Sequence, residues 1–341
     1  MPFDVHPPEY VSPAGIERLC AAAAAVARDP AAGLFGPESI TWRIDRESAL
    51  FLGAGRAALL QLAHPWVTAA LVQHSNLLDQ PVARFHNTFR VVFTMVFGTL
   101  DQALAAARHL YQLHTGIRGE LREDTAGWSR GTHYEANEIA ALRWVFSTLV
   151  ESAVMAYECA LGPLGASERE QYYAESKRMA ALFGIPASAL PENWQAFRAC
   201  NHEMHASDEL GVSAEARRYG TRLLAGAGSP IHSWIRPPLW YRALTVAWLP
   251  ERFRSEFSFD FGQDMRDAAE SAARRLPGFY RPLPDAVRFV GPYHEARARL
   301  RGRSCGILAR LSNRFWIGEP RMPFSEGAAV RENDKSKRQE S

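Results

Sequence analysis

The sequence predicts an all-α protein. Apolar residues recur at intervals of three and four through nearly every hydrophobic segment. Alternating runs bounded by turn residues, the mark of strands, are scarce. Several segments are also bounded by capping residues or by the glycine and proline that stop helices. On these grounds helices are expected over 13–27, 48–74, 81–97, 100–118, 138–161, 168–183, 192–205, 214–224, 238–247, 251–257, 263–275 and 284–301.

Individual ends have physical causes. Pro65 lies inside an otherwise helical stretch, where it removes a backbone donor, so a kink is expected near His64. In 81–97, offsets of three and four put Arg84, Asn87 and Thr88 on one stripe that Val91 and Met95 continue. Thr99 and Gln102 have the spacing of a capping box, which starts the next helix at Leu100, and Gly119 stops it after Arg118. Asn137 is placed to cap the helix from Glu138, and Ser167 with Glu170 has the spacing of a second capping box. Gly184 and Pro186 stop the helix that follows. From Glu319 the periodicity is lost. The expected organisation is an N-terminal arm over 1–12, one helical domain over 13–317 and a disordered tail over 318–341.

Composition narrows the functional classes. The 341 residues are 47% apolar and 22% charged, ordinary for a globular protein with a substantial core. A net charge of +2 with scattered arginines argues against nucleic acid as a partner. Cys20, Cys159, Cys200 and Cys305 lie far apart without metal-type spacing, which suggests reduced thiols in a cytoplasmic protein, and no c-type haem attachment motif is present. The N-terminus lacks a positive region followed by an apolar one, and the alanines at 21–25 are too few to span a bilayer.

The pair 81–97 and 100–118 carries the most informative residues. The return between them is short, so the helices are expected to be antiparallel neighbours. His114 occupies a position in the stripe of Leu100, Ala103, Ala107, Leu110 and Ile117 that the pattern reserves for an apolar group. Thr88 and His114 are expected to differ in height by roughly 7 Å, a gap that a macrocycle such as haem bridges. The alternative is a core histidine bonded to a backbone carbonyl. Arg84 has two candidate tasks, clamping a haem propionate or orienting a distal group. Thr88 either donates to an iron-bound ligand or bonds back to its own helix. Arg118 is a further propionate partner, or simply opposes its helix dipole.

Other motifs compete. Gly53-Ala54-Gly55-Arg56-Ala57-Ala58 has the form of a dinucleotide fingerprint, but helical spacing follows where a second strand is required, so close helix packing is the better expectation. His64, His74, His86 and His109 are alternative ligands, and His64 is included in the cofactor-binding set although it is equally placed to cap a backbone group. His202 and His205 have the i, i+3 spacing of a metal pair without an apparent third ligand. In 138–161, Trp144, Thr148, Glu151 and Met155 form a stripe opposite Leu142, Val145, Phe146 and Leu149. Glu151 is there a candidate general base or a solvent-facing carboxylate. Trp234, Trp240, Tyr241 and Trp248 suit a membrane interface, a tunnel mouth or ordinary packing.

Several of these pieces occur together in one order: Gly53-Ala54-Gly55-Arg56-Ala57-Ala58-Leu59-Leu60-Gln61-Leu62-Ala63-His64-Pro65, His74-Ser75, Arg84-x-x-Asn87-Thr88, His114-x-x-Ile117-x-Gly119, Tyr134-x-Ala136-Asn137, Trp144-Val145 and Tyr172-Tyr173-x-Glu175. Over roughly 42–250 the chain thereby resembles the rubber oxygenase and MpaB-type family. The resemblance implies a globin-like helical core around one haem b, with His114 as proximal iron ligand and Arg84, Asn87 and Thr88 in the pocket. It also implies an oxygenase that uses O2 on a hydrophobic, isoprenoid or lipid-like substrate. Phe85, Phe89, Val92, Phe93, Met95 and Val96 are expected to supply an apolar lining. Rubber-cleaving members use a glutamate upstream of the arginine, whereas 53–78 here contains no carboxylate, so rubber itself is not the expected substrate. If Asn87 replaces the lysine of those relatives, it is too short and too weak a ligand to mask the iron as that lysine does, which implies a five-coordinate or water-bound ferric form. The competing expectations are a non-catalytic haem or gas-binding protein and a cofactor-free lipid-binding protein.

Overall fold

The computed structural model describes residues 9–75, 81–225 and 237–324. It is 67% helical, and its described residues form sixteen α-helices and one two-stranded sheet. The helices are α1 (Pro13–Ala25), α2 (Ile40–Asp45), α3 (Ala54–Leu62), α4 (Pro65–His74), α5 (Pro81–Phe97) and α6 (Leu100–Thr115). A short hairpin, β1 (Arg118–Glu120) and β2 (His133–Glu135), precedes the long α7 (Ile139–Leu161) and α8 (Ala166–Leu182). Then come α9 (Trp194–Ala206), α10 (Ala214–Ala225), α11 (Leu239–Ala247), α12 (Glu251–Glu256) and α13 (Gln263–Tyr280). The last are α14 (Asp285–Arg288), α15 (Gly291–Leu300) and α16 (Ile307–Ile317).

The core is built around α7. This helix is long and apolar enough to cross a membrane, yet most of it is buried among α3, α8 and α13, as in the central helix of a packed core. Both of its expected stripes are covered: Leu142 and Phe146 are buried on one side, Trp144, Thr148 and Glu151 on the other. The larger apolar cluster joins Trp42, Phe97, Phe146, Tyr173 and Phe197, and a second gathers Leu59, Leu60, Trp144, Phe253 and Phe257.

Local chemistry explains where the expected helices change. The segment 48–74 divides into a 3-10 turn, α3 and α4. Pro65 starts α4, and the Nδ1 of His64 accepts the Trp66 N–H at 3.3 Å, a hydrogen bond that caps the new helix. The glycines of the fingerprint serve packing. A Cβ on Gly53 would lie 2.5 Å from the Ser152 carbonyl oxygen on α7, and one on Gly55 would lie 2.9 Å from the Thr245 side chain on α11. No strand precedes them, so nothing of a dinucleotide fold is formed there. The cap of α7 is Glu138 rather than Asn137, and α8 begins at Gly165, whose N–H donates to Glu168 at 2.7 Å, instead of at Ser167. α2 and α16 lie outside the expected helices. Residues 318–324, expected in the tail, are packed: Met322 is buried and donates its N–H to Glu295 at 3.0 Å. The rest of the expected tail lies outside the described residues, as does Trp234.

The close approach at Gly53 yields a paired prediction. Gly53→Ala forces a methyl against backbone and lowers unfolding stability by about 1–3 kcal/mol. Gly278→Ala meets nothing within 4 Å on α13 and raises stability by up to about 1 kcal/mol. Urea denaturation of both variants checks the contrast.

Candidate functional site at the open end of a helical hairpin

The α5–α6 pair forms as expected. The Thr99 N–H donates to Gln102 Oε1 at 3.0 Å and the Gln102 N–H to Thr99 Oγ1 at 3.2 Å, so the capping box fixes the start of α6. Near this turn the hairpin is closed: Met95, Val96 and Phe97 on α5 and Ala103, Ala106 and Ala107 on α6 are all fully buried. The three alanines let the helices approach closely. Farther from the turn the cover falls away, with Asn87 and Thr88 exposed on α5 and Leu113 51% exposed on α6. Arg84 and His114 lie at this open end.

Their environment is unlike that of the other histidines and arginines nearby. Loss of water around the ring, and secondly the positive charge of Arg84, push the His114 pKa down to about 4. The imidazole is therefore neutral at neutral pH, with a lone pair available to a metal. Burial likewise lowers the Arg84 pKa. Among the described residues no hydrogen bond or ion pair engages either side chain, so the core histidine bonded to a carbonyl is not what forms here. By contrast His74 Nε2 lies 3.0 Å from the Arg118 carbonyl, His86 Nε2 3.0 Å from that of Phe315, and His64 is committed to its cap.

Thr88 is free in a similar sense. Thr94 and Thr115 bond back to the carbonyl four residues earlier, at 2.7 and 2.9 Å, whereas the Thr88 hydroxyl makes no such bond. The structure thus brings Arg84 and His114 together, with Asn87 and Thr88 on the adjoining surface of α5. Part of the expected apolar lining is spent elsewhere. Phe93, Met95 and Val96 are sealed in the core, while Phe85 and Phe89 stack against Phe51 with centroids 5.3 and 4.6 Å away.

Three expected site residues take other roles. Arg118 is not in the last turn of α6, which ends at Thr115. Gly116 caps that end, and Arg118 is exposed in β1, paired in register with Glu135. His64 is a buried helix cap whose pKa desolvation lowers to about 4. Glu151 is neither solvent-facing nor free: its Oε2 lies 2.6 Å from Arg56 Nη2, and its Oε1 3.7 Å from Arg198 Nε. Arg56, itself buried, also donates to Ser152 Oγ at 2.9 Å and to the Trp248 carbonyl at 3.0 Å. This buried pair ties α3 to α7 and to the end of α11, and it leaves the Glu151 carboxylate occupied by guanidinium groups.

Asn137 supplies what sequence reasoning missed. Its Nδ2 donates to the Tyr111 carbonyl at 3.3 Å and to Thr115 Oγ1 at 3.1 Å, which adds a second bond beside the Thr115–Tyr111 contact in the turn that carries His114. The Ala136 N–H then reaches the Ile117 carbonyl at 2.9 Å. The hairpin after α6 therefore holds the histidine-bearing turn from outside. The only signal for this lay in the Tyr134-x-Ala136-Asn137 motif. Tyr172 and Glu175 are also structural: the Tyr172 hydroxyl donates to Asp45 at 2.9 Å, and Glu175 accepts from the Thr41 N–H at 2.9 Å, joining α8 to α2.

Among the described residues no group of three or more His, Cys, Asp or Glu side chains converges on one point. His205 instead packs on Trp144 and Phe253, with centroids 5.6 and 6.0 Å away. A lone imidazole such as His114 completes a metal site when a macrocycle brings the remaining donors, and the adjacent unpaired guanidinium suits the carboxylates that a haem carries. The residues fit that group. A family model described as the catalytic domain of ER-bound oxygenase mpaB/B'/rubber oxygenase matches residues 41–282, the stretch that contains α5, α6 and α7. The chain belongs to the mpaB/rubber oxygenase family. Comparison with curated proteins and with solved structures gives no match.

Two predictions follow from this geometry. Asn137→Ala removes two hydrogen bonds that tie the hairpin to the end of α6 and costs about 1–3 kcal/mol in urea denaturation. Three histidines weaken the ligand-free protein in acid: His64, His114 and His205 refuse protons until about pH 4, whereas the unfolded chain takes them up below about 6.5. Their contribution is complete above that value and is lost as pH falls through the window. Asp45, pushed up to about 7 by burial, acts in the opposite sense, as do Glu138, Glu209 and Glu295, whose carboxyls burial also raises. His64→Asn, which keeps a capping acceptor without the titration, isolates one histidine: its Tm relative to the wild type rises as pH falls from 6.5 to 4.

Proposed function

We propose that this chain is a haem b-dependent oxygenase that acts with O2 on a hydrophobic, isoprenoid or lipid-like substrate, by oxidative cleavage of a carbon–carbon double bond. Its oxygenase class follows from its family. The observation that supports the haem is the neutral, unbonded His114 imidazole beside the unpaired Arg84 guanidinium at the uncovered end of α5 and α6. Haem bound there supplies the iron at which dioxygen is activated.

In this reading the helices would gather around the haem in a globin-like manner and His114 would hold its iron, oriented by the Asn137 tie. Arg84 would neutralise a propionate, and the Thr88 hydroxyl would donate a hydrogen bond to an iron-bound ligand. Asn87 offers no strong nitrogen ligand, so the loaded ferric protein is expected to be five-coordinate or water-bound. The four unpaired cysteines fit a reducing compartment such as the cytoplasm.

The engagement of Glu151 by Arg56 removes one candidate base and favours, as the second reading, a haem protein that binds a gas without turnover. Aerobic incubation with terpenoid and unsaturated fatty substrates, followed by mass spectrometry, separates the two. Oxygen-dependent products that disappear in His114→Ala support the oxygenase. A Soret band without products across the panel favours gas binding, and a chain that takes up no haem contradicts both.

A further inference from the structure

α16 is outside the stretch that the family model covers, and its outer face is apolar. Ile307 is 72% exposed, Leu308 75%, Leu311 53% and Phe315 67%. At 100° per residue these four side chains occupy one sector of about 100°. The helix is firmly seated on its other side. Trp316 stacks on Phe51 with centroids 4.2 Å apart, the fully buried Asn313 donates to Glu295 Oε2 at 2.6 Å, and Arg90 Nε on α5 donates to the Ile317 carbonyl at 3.1 Å. The outer face is therefore held in place rather than frayed. Nothing among the described residues covers it, and the sequence from 325 to 341 offers Val330 as its one large apolar side chain.

The charges around this face select what it meets. Residues 301–319 contain Arg301, Arg303, Arg310 and Arg314, all exposed, against one carboxylate, Glu319, which lies 3.7 Å from Arg90. Arg310 and Arg314 border one edge of the apolar sector. At the N-terminal end of α16 a cavity of about 540 Å³ opens beside Ser304 and Cys305, and Arg299, Arg303 and Arg321 line it together with Asp101 and Glu295. Glu295 is already committed to Asn313 and to the Met322 N–H. An apolar sector bordered by guanidinium groups matches a surface that is greasy below and anionic above.

We propose that the outer face of α16 docks the protein onto an anionic phospholipid bilayer. Ile307, Leu308, Leu311 and Phe315 enter the acyl boundary, and Arg303, Arg310 and Arg314 engage the headgroup phosphates. α5 lies directly beneath, so docking brings the Arg84–His114 end of the hairpin close to a membrane. The sequence placed interfacial aromatics at 231–250 instead. Of these, Trp240 is exposed, and 231–236 lie outside the described residues.

The test is co-sedimentation of the full chain with vesicles of phosphatidylcholine containing about 30% phosphatidylserine, with pure phosphatidylcholine for comparison. The protein is expected to partition at least about tenfold more strongly onto the anionic vesicles, and added salt should weaken it. Leu308→Ser with Phe315→Ser should reduce partitioning about tenfold or more. Arg310→Gln with Arg314→Gln should remove most of the dependence on phosphatidylserine. Circular dichroism should show all variants folded with little change in Tm, because these side chains are exposed and their contacts, Phe315 on Trp316 and Arg310 on the Cys305 carbonyl, are local to α16. Equal partitioning by wild type and variants, or no binding by the wild type, overturns the proposal. So does a wild-type dimer in sedimentation velocity that Leu308→Ser with Phe315→Ser dissociates, since the face then belongs to a second copy. Vesicle binding needs no cofactor, so neither outcome depends on whether haem is held at His114.

Discussion

The arrangement on which the rest depends is the approach of a neutral imidazole to a guanidinium that has no counterion among the described residues. Two polar groups withdrawn from water and left without protein partners are costly, and the charge of Arg84 makes protonation of His114 costlier still. A fold retains such a pair where a ligand supplies the missing partners. In the proposed reading a porphyrin dicarboxylate would do both: its metal would take the imidazole lone pair and its carboxylates the guanidinium.

Rigid neighbours keep that pair in place. The α5–α6 hairpin is pinched shut by three alanines near its turn and opens toward the site, so its width is set by side-chain volume at the closed end. The β1–β2 hairpin and Asn137 hold the far end of α6, and the buried Arg56–Glu151 pair fastens α3 to the central α7. The ion pair carries a desolvation cost that packing alone avoids. Its effect is to fix which faces of α3 and α7 meet, and with them the backbone that supports the site.

Much of the fold could be read from the sequence where the chemistry was local. The Thr99–Gln102 box, the break at Pro65 and the three-and-four spacing of α5 and α6 each involve residues within one or two turns. The site pair was legible because His114 interrupts an apolar stripe, an anomaly visible without coordinates. The roles of Glu151 and Asn137 were not legible, because their partners lie 95 residues away on Arg56 or on a helix end that stops one turn early, whereas for His64 the cap was one of two readings that the break at Pro65 left open. α16 escaped for a different reason. Its apolar residues have helical spacing, but spacing does not tell which face is buried: Ile307, Leu308, Leu311 and Phe315 point outward while Asn313 is buried.

The central claim is that the imidazole of residue 114 is a metal ligand. Haem titration of the purified chain, followed by absorbance, tests it most directly when His114→Gly is titrated with and without free imidazole. The account predicts saturable uptake of one haem by the wild type, loss of that uptake in His114→Gly and its recovery when imidazole fills the space left by the side chain. Uptake by His114→Gly that equals the wild type and is indifferent to imidazole would contradict it.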